Sequence, residues 1–350
     1  MKKSKKILAR NIAVLVLSVV MLVAGAGCIY VDRVLGKINY ADPGETESVA
    51  QTGPLFEEST DSGTVSAKAG LLGGLYHDDA VTNILLLGVD DYQKNDIGRS
   101  DSMMLVSVDT RHKKMKLTSF MRDLYVAIPG HKSNKLTVAY GDGGGGAGGA
   151  KMVVKTIEAN FRVDIDRYVV ISNSAFNKII DRLGGVTITL TDETDSRGRT
   201  EADLINIYSG DRNKVHTGEN KLSGAQAHYY SRIRAIGDDF ERTQRQRKVF
   251  ESLAGSLKSA GITTLYSILA DTLPLVTTNM TKNEIVAMAG NAPTYLSYPI
   301  TQDRIPGDHE YTSDDIPGVG DSLVPDLDAC RKSVVQFIYE TDVSSGSYAD

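Results

Sequence analysis

The spacing of apolar and polar residues divides the chain into three regions, of which the first is a long apolar run. Residues 11–31 carry no charge and consist mostly of Val, Leu, Ile, Ala and Gly. About 20 apolar residues span the hydrocarbon core of a bilayer, and the lysines before this run favour a cytoplasmic N-terminus. We therefore predict a cytoplasmic tail at 1–10 and a transmembrane anchor at 11–31. A cleaved signal peptide and a lipoprotein cleavage site before Cys28 are the alternatives.

The second region, residues 32–80, is polar. Between residues 41 and 80 there are eight acidic residues and one lysine among many Ser, Thr, Gly and Ala residues. Such a composition buries too little apolar surface to fold by itself. We expect a flexible extracellular stalk that holds a folded domain away from the membrane.

The third region begins at Val81 and contains some segments with the spacing of strands and others with the spacing of helices. Strands are predicted from short apolar runs or strict alternation at 83–88, 102–108, 115–121, 165–171 and 186–190. Helices are predicted at 151–160, 176–183, 222–230, 239–257, 263–273, 282–289 and 326–339. Strands interspersed with helices in this way indicate an α/β fold, arranged as an α-β-α sandwich around a mixed central sheet.

Two domain segments and two irregular segments are expected within this region. Residues 81–255 are predicted to form one folded domain, and residues 256–350 a helical extension of it. The polar residues 191–217 are expected to form a surface excursion. Residues 143–149 belong to a glycine-rich tract that lacks the Gly-Lys-Ser/Thr of a phosphate loop, so we expect a mobile loop there.

Charge and histidine spacing argue against two classes of function. The net charge is −5, and without the five basic residues among the first ten, 34 of the 39 basic residues remain against 44 acidic ones. A generic nucleic-acid binder would seldom be so acidic. His216 and His228 have no partners at zinc-ligand spacing, so a zinc site is not expected.

Basic side chains nevertheless concentrate in the segment 228–248. An apolar stripe of the 239–257 helix is formed by Val249, Phe250, Leu253 and Leu257, and the same helical spacing continued towards the N-terminus reaches Gln246 and then Arg242. The inward face therefore becomes polar where free N–H groups and the helix dipole attract anions. Arg245, one turn after Arg242, is expected beside the same polar end of this face.

The arginines before this helix fit the same anion. Arg232 and Arg234 would project from one side of an extended segment and could converge with Arg242. Guanidinium forks match phosphate oxygens two at a time. Arg247 and Lys248 lie off the stripe and are expected in solvent. A basic helix surface and solvent-facing edge arginines are the alternative interpretation.

Two aspartates stand at the ends of predicted strands. Asp90 ends the first strand and Asp101 opens the second, with Asp91 as a competitor for either role. Carboxylates that meet at strand ends repel each other unless a cation lies between them, and Mg²⁺ binds one or two carboxylates together with phosphate oxygens. A turn aspartate and a capping aspartate are the alternative. Further basic residues follow or precede strands and turns at Arg99, Arg122 and Lys135.

Several segments occur together in the order of one known family. The chain resembles the LytR-CpsA-Psr proteins, which attach glycopolymers to the bacterial cell wall. The matching segments run over roughly residues 81–255 and are Asn83–Asp90 (NILLLGVD), Gly98–Met104 (GRSDSMM), Ser119–Asp123 (SFMRD), Val126–Gly130 (VAIPG), Asp181–Val186 (DRLGGV), Leu222–Ala227 (LSGAQA), Tyr230–Arg234 (YSRIR) and Asp239–Gln246 (DFERTQRQ). One departure is Met121, which stands where the family often has Pro before Arg-Asp.

The resemblance implies a membrane-anchored, Mg²⁺-dependent phosphotransferase. Its donor would be a glycan on undecaprenyl pyrophosphate, its acceptor a peptidoglycan sugar hydroxyl, and the lipid monophosphate would leave. By motif, Asp90 and Asp101 would hold Mg²⁺. The implied pyrophosphate-binding set is Arg99, Arg122, Lys135, Arg232, Arg234, Arg242 and Gln246. Among the implied catalytic residues Arg122, Asp239 and Arg242, the aspartate would either orient an arginine or act as base.

The resemblance also implies a location and partners. The chain would cross the cell membrane once, with the N-terminus inside and the catalytic domain, residues 81–255, outside. Membrane lipid, the lipid-linked glycan and peptidoglycan would be its partners, and nucleic acid would not. A non-enzymatic, polymer-binding or regulatory membrane protein of the cell envelope is the alternative function.

Overall fold

The structure is a computed structural model that describes residues 36, 38–40, 71–72, 74–90, 98–260, 268, 272 and 275–341. The predicted tail, the predicted anchor and most of the predicted stalk lie outside these residues. So do Asp91, Cys28 and most of the helix predicted at 263–273. Among the helices that are described, none is long and apolar enough to cross a bilayer.

The strands include all five that the sequence predicts. In chain order the strands are β1 (Asn39–Tyr40), β2 (Leu71–Leu72), β3 (Leu75–Tyr76), β4 (Val81–Val89), β5 (Ser100–Asp109), β6 (Lys114–Phe120), β7 (Tyr125–Val126), β8 (Asn134–Lys135), β9 (Arg167–Ser172), β10 (Val186–Leu190), β11 (Gly218–Leu222), β12 (Val276–Thr278), β13 (Ile300–Ile305), β14 (Tyr311–Ile316) and β15 (Gly320–Pro325).

The helices follow capping signals that are visible in the sequence. They are α1 (Ala139–Asp142), α2 (Gly146–Phe161), α3 (Asn173–Arg182), α4 (Glu201–Tyr208), α5 (Gly224–Tyr230), α6 (Asp239–Ser259), α7 (Lys282–Tyr295) and α8 (Leu327–Tyr339). Ser223 caps α5 through a capping box with Gln226. Asp238 caps α6 in the same way with Glu241.

A seven-stranded mixed sheet forms the centre of the molecule. Its strand order is β1-β12-β9-β4-β5-β6-β13. Strand β4 runs parallel to β9 and antiparallel to β5, and β5 runs antiparallel to β6. The mixed central sheet that the sequence predicts is therefore confirmed.

Alternate residues of the central strands face two different helix layers. On one face, Leu105 packs in a core with Ile157 of α2 and Val334 of α8. On the other face, Val106 packs in a second core that includes Phe250 of α6 and Tyr295 of α7. The runs read as continuously apolar because both faces are covered.

A smaller lobe contains a third core beside the sheet. The antiparallel pair β10–β11 packs with α3, α4, α5 and one side of α6 around buried residues such as Tyr230 and Ile205. The alternating burial of Val186, Ile188 and Leu190 places their side chains in this core. Glycine residues follow the end of α3, where Gly184 and Gly185 both have positive φ.

Two expectations, for the segments 191–217 and 256–350, are wrong. Residues 191–217 do not form a polar excursion throughout, because α4 lies within them and buries Leu204 and Ile205. The short apolar face of α4 is diluted by polar neighbours and a Thr200–Asp203 capping box, so periodicity did not show it. The segment 256–350 is not only helical, since β12 and β13 extend the central sheet.

The glycine-rich tract, expected as a loop, is partly helical. Gly146–Gly149 form the first turn of α2, and only residues 143–145 connect it to α1. A Cβ atom at Gly149 would lie 2.4 Å from the carbonyl oxygen of Tyr140. The absence of side chains therefore allows two short backbone segments to pack against each other, which sequence periodicity cannot reveal.

Candidate active site

Three strand ends meet at one edge of the central sheet. Strand β4 ends at Val89, β5 begins at Ser100 and β6 ends at Phe120, and their antiparallel pairing brings these ends together. Asp90, Asp101 and Arg122 follow or flank these ends. The sheet therefore brings together three candidates that lie as much as 32 positions apart in the chain.

A β-bulge sets the position of Asp101. Gly88 pairs with Ser102 and Val89 pairs with Ser100, which leaves Asp101 as the extra residue. A bulge bends its strand and changes the direction of the extra side chain, and bulges are common beside active sites. A Cβ atom at Gly88 would lie 3.1 Å from Cβ of Ser102, so the close approach favours glycine there.

The two candidate metal-binding aspartates share one arginine. Nη1 of Arg232 lies 3.1 Å from Oδ1 of Asp90, and its Nη2 lies 3.9 Å from Oδ2 of Asp101. Nη1 of Arg122 donates to Oδ1 of Asp101 at 2.6 Å. Asp90 and Asp101 thus belong to one charged cluster, as the sequence predicts.

Asn173 is a site residue that sequence reasoning missed. Its Nδ2 donates to Oδ1 of Asp90 at 2.7 Å. Asn173 begins α3 directly after β9, and β9 runs parallel to β4 with Val89 opposite Ser172. Its position at the end of a strand parallel to β4 is the only signal that could have identified it. The pairing of β9 with β4 is not visible in the sequence.

Asp239 anchors the arginines of the second half of the site. Its carboxylate accepts two bonds from Arg242, from Nε at 2.7 Å and from Nη2 at 2.9 Å. Nη2 of Arg234 donates to the same carboxylate at 2.8 Å, and Nε of Arg122 lies 3.8 Å away. Asp239 therefore contacts three of the arginines predicted to bind an anion.

Arg242 is buried and fully engaged by the protein. It is 2 % exposed, and its Nη1 donates to the backbone carbonyl of Asp101 at 2.9 Å. The guanidinium group therefore connects the first turn of α6 to the bulge of β5. This geometry holds both elements in register and places a positive charge directly beneath the site.

Asp123 is a fourth carboxylate of the cluster, and it was absent from the predicted set although it follows Arg122 in the chain. Its Oδ2 lies 3.4 Å from Nε of Arg122 and 3.9 Å from Nη2 of Arg234. Nζ of Lys135 lies 3.5 Å from its Oδ1. Lys135 thus reaches the site through Asp123.

Positive charge predominates slightly in this cluster, which contains four carboxylates and five cations. Burial opposes the charge of Arg122, but the carboxylates of Asp101, Asp123 and Asp239 outweigh it and raise the pKa of this arginine. The side chains of Arg232 and Arg234 are each 45% exposed. These two guanidinium groups can therefore reach an anion in solvent while the buried cations hold the cluster together.

Two predicted pyrophosphate ligands occupy less central positions. Arg99 is exposed just before β5 and makes no ion pair with the described residues. Nε2 of Gln246 lies 3.4 Å from the carbonyl oxygen of Ser231. Gln246 thus supports the backbone that leads into Arg232.

The remaining arginines of α6 serve the fold. Arg245 is buried, donates to Glu201 at 2.8 Å, and also donates to the carbonyls of Ile233 and Ile236. Arg247 was expected in solvent, and that expectation is wrong. It is 9 % exposed and donates to Gln302 of β13, because β13 covers the side of α6 that the apolar stripe leaves free.

The donor set of Asp90 and Asp101 fits a divalent cation. Oδ2 of each aspartate has no hydrogen bond to the described part of the chain. Each carboxylate can therefore offer an oxygen, and Mg²⁺ commonly takes one or two carboxylates and completes its shell with water and phosphate.

Comparison with known proteins identifies the family of this chain. The sequence model of the LytR_cpsA_psr family matches residues 44–322. The teichoic acid transferase TagU of Oceanobacillus iheyensis is 35% identical over 181 residues, which are 51% of this chain and 52% of TagU. TagT of Bacillus subtilis, also named a polyisoprenyl-teichoic acid–peptidoglycan teichoic acid transferase, is 33% identical over 198 residues, which are 55% of this chain and 57% of TagT. The chain thus matches little more than half the length of these two relatives.

A solved structure shows the same fold. The LytR-CPS2A-psr family protein TagT with bound octaprenyl pyrophosphate lipid superposes with a TM-score of 0.56 at 23% identity. The superposition covers 75% of this chain and 91% of that structure.

Proposed function

The chain belongs to the LytR-CpsA-Psr family, and from this membership we propose that it transfers a glycopolymer from a polyprenyl-pyrophosphate carrier to a peptidoglycan sugar hydroxyl. The observation that carries the proposal is the position of Arg232 and Arg234. Both side chains are half-exposed, and both lie against a carboxylate–arginine cluster at the end of the central sheet.

The relatives support the substrate class. TagU and TagT are named as transferases of teichoic acid to peptidoglycan. The TagT structure contains a polyprenyl pyrophosphate lipid. A donor of the same chemistry suits this chain because its site combines exposed guanidinium forks with buried positive charge.

The proposed reaction replaces one phosphorus–oxygen bond by another. The acceptor hydroxyl oxygen attacks the phosphorus that carries the glycan. The bond from this phosphorus to the bridging oxygen breaks, and polyprenyl monophosphate leaves with that oxygen. The hydroxyl proton passes to a base or to water, so a glycan phosphodiester of peptidoglycan is formed.

The residues of this chain act mainly by placing positive charge. Arg232 and Arg234 would bind the non-bridging oxygens of the pyrophosphate, while Arg122 and Arg242 stabilise the charge that grows on the leaving phosphate. Phosphoryl transfer depends on positioning and electrostatic stabilisation more than on covalent catalysis. The buried arginines need little reorganisation because carboxylates already hold them.

Asp239 has two possible roles, and its contacts favour one of them. Its carboxylate binds both Arg234 and Arg242 and lies near Arg122. A carboxylate that accepts three hydrogen bonds from guanidinium groups is better suited to orient those groups than to remove a proton. We therefore assign Asp239 to positioning.

Mg²⁺ is part of the proposal, and Asp90 and Asp101 would hold it. When bound, the ion would neutralise charge on the pyrophosphate and its leaving group. Asn173 would keep Asp90 in place by its hydrogen bond.

The proposed location follows from the apolar run at 11–31. A single anchor there would keep the site near a lipid-linked donor, with the tail inside and the catalytic domain outside. The polar stretch 32–80 would set the distance between the site and the membrane surface.

The proposal is tested with the full chain in detergent micelles, a polyprenyl-pyrophosphate-linked glycan, peptidoglycan and Mg²⁺. Release of polyprenyl monophosphate is measured. Arg122→Ala should reduce the rate by about 10²- to 10³-fold, the size expected when one charge-stabilising group is lost. Arg111→Ala is the matched control, since Arg111 pairs with Asp78 at the opposite end of the β5–β6 hairpin.

Two results would reject the transferase. One is the absence of lipid phosphate release by the unaltered chain; the other is equal release by Arg122→Ala and Arg111→Ala. Retention of the lipid-linked glycan without turnover would instead favour the non-enzymatic, polymer-binding alternative.

A further inference from the structure

An exposed tyrosine stacked on a half-buried one lies on the smaller lobe, outside the charged cluster. Tyr208, at the end of α4, is 51% exposed, and its neighbour Ile207 is 56% exposed. The ring of Tyr208 stacks on Tyr229 of α5 with centroids 5.6 Å apart and an interplanar angle of 26°. Large exposed apolar side chains that lie together commonly mark a binding surface.

The orientation of this pair is held by a clamp of polar residues. Nη1 of Arg199 donates to the hydroxyl of Tyr208 at 2.9 Å. Asp195 holds Arg199 with both carboxylate oxygens. Its Oδ2 accepts from Nε of Arg199 at 2.8 Å, and its Oδ1 accepts from the backbone N–H of Arg199 at 2.9 Å. These hydrogen bonds from Arg199 lower the pKa of Asp195 to about 2. The clamp therefore stays charged across the physiological pH range.

The clamp leaves much of the Tyr208 ring open. The guanidinium carbon of Arg199 lies 5.8 Å from the ring centroid, although one of its nitrogens bonds the hydroxyl. This combination places the guanidinium group near the hydroxyl end of the ring. A surface tyrosine with a fixed ring and an open face loses little conformational entropy when a ligand stacks on it.

Tyr229 lies three residues before Arg232 of the proposed pyrophosphate site. Helix α5 leads directly from Tyr229 into Arg232, whose backbone N–H donates to the carbonyl of Tyr229 at 2.9 Å. His228, the residue before Tyr229, lies 3.4 Å from Nη1 of Arg232. A group that continues from an anion bound at Arg232 would thus meet the lobe that carries Tyr229 and Tyr208.

We infer that Tyr208 and Tyr229 form a platform for a sugar ring of the transferred glycan or of the acceptor glycan strand. The electron-rich face of an aromatic ring attracts the polarised C–H groups of a pyranose face. Arg199 borders the platform, and its side chain, which is 25% exposed, offers a charged partner to sugar hydroxyls. This inference rests on the proposed transferase function, because that function supplies both kinds of glycan.

The test uses the full chain in detergent micelles and has two arms. The first arm measures retention of the protein by purified bacterial peptidoglycan sacculi, which requires no turnover. The second arm measures KM and kcat for a polyprenyl-pyrophosphate-linked glycan. Both arms compare Tyr208→Ala and Tyr229→Ala with the unaltered chain and with Val286→Ala, which removes a side chain that is 50% exposed on α7.

The expected loss is about three- to tenfold for each tyrosine, the range of one aromatic contact. Weaker retention by sacculi assigns the platform to the acceptor strand. An increase in donor KM, with kcat and retention by sacculi unchanged, assigns it to the transferred glycan. Tyr208→Phe and Tyr229→Phe keep the rings and should stay within about twofold of the unaltered chain. Circular dichroism and urea unfolding of the alanine variants show whether either of them is misfolded.

Two results overturn the inference. One is that neither arm responds to Tyr208→Ala or Tyr229→Ala. The other is a change in the elution volume of the protein in these variants but not in Val286→Ala. Such a change would make the pair a contact between copies of the chain. Retention through the platform without any lipid phosphate release would refute the transferase but not the platform.

Discussion

Nη1 of Arg122 donates to Oδ1 of Asp101 across 2.6 Å, and this bond joins the end of β6 to the bulge of β5. Both side chains are largely buried, with 20% and 26% exposure. The pair connects the proposed metal-binding half of the site to the arginine half. A change at Arg122 should therefore affect both halves.

Arg122→Lys should reduce release of polyprenyl monophosphate by roughly tenfold or more, although the charge is retained. Lysine lacks the planar fork that contacts Asp101 while remaining near Asp123 and Asp239. The measurement is kcat/KM with a lipid-linked glycan donor. Arg111→Lys is the control at the opposite end of the hairpin, and equal rates for the two variants would contradict a role for the fork.

Asp90→Asn and Asp101→Asn should each weaken the binding of Mn²⁺, used as a paramagnetic substitute for Mg²⁺, by about tenfold or more. Electron paramagnetic resonance of the free ion measures binding without any reaction. Asn173→Ala should weaken it less, because Asp90 remains but loses a hydrogen bond of 2.7 Å. Asp78→Asn should have no effect, and unchanged Mn²⁺ affinity in all variants would exclude the proposed ligands.

Gly224→Ala should destabilise the fold by about 1–3 kcal/mol, because an added Cβ would lie 2.3 Å from the carbonyl oxygen of Asn177. The contact joins α5 to α3, whose first residue is Asn173. Gly255→Ala within α6 is the opposite case, because an added Cβ meets nothing within 4 Å. This substitution should raise the free energy of unfolding by about 0.5–1 kcal/mol. Urea unfolding measures both, and a stabilising Gly224→Ala would show that the close approach is wrong.

Glu201→Gln should destabilise the protein by about 3–5 kcal/mol, since it leaves the guanidinium of Arg245 buried without its carboxylate. The side chains of this pair are only 3% and 5% exposed, and Nε of Arg245 lies 2.8 Å from Oε1 of Glu201. Asp328→Asn breaks an exposed pair with Arg331 and should cost less than about 1 kcal/mol. Similar losses for the two variants in thermal or urea unfolding would contradict the buried pair as a support of the smaller lobe.

Glu158→Gln should make stability less dependent on pH. Burial raises the pKa of Glu158 from 4.5 to about 8, and the carboxylates of Asp164 and Asp166 add to the shift. Between these two values the native state binds a proton that the unfolded state has lost. The free energy of unfolding therefore decreases as pH rises from 4.5 to about 8.

Glutamine does not titrate, so the stability gain of Glu158→Gln over the unaltered chain should increase across this range. Urea unfolding at the two ends of the range measures the gain. Glu219→Gln changes an exposed carboxylate and should show no such trend. A gain that is constant with pH would mean that Glu158 is charged in the native protein.

Much of the fold and part of the candidate site could be predicted because the signals are local. Strand β4 is an unbroken apolar run, α6 begins with a capping aspartate, and Ser223 stands before α5 with Gln226 three residues later. The sequence also shows the arginine pair at 232 and 234 and the aspartates at strand ends. Active-site residues are common at such positions. Long-range contacts leave no such local signal, which is why Asn173, Asp123 and the burial of Arg247 were missed.

The chain's own order of residues determined the elements, the mixed sheet and the charged groups of the site. Only the tertiary structure decided which charges meet. The bulge at Asp101 depends on the register between β4 and β5, and the contact of Asn173 with Asp90 depends on β9 lying parallel to β4. Arg242 was expected on the inward face of its helix and Arg247 in solvent, and packing against β5 and β13 buried them both. Register and packing depend on contacts between distant segments, so neither follows from local periodicity.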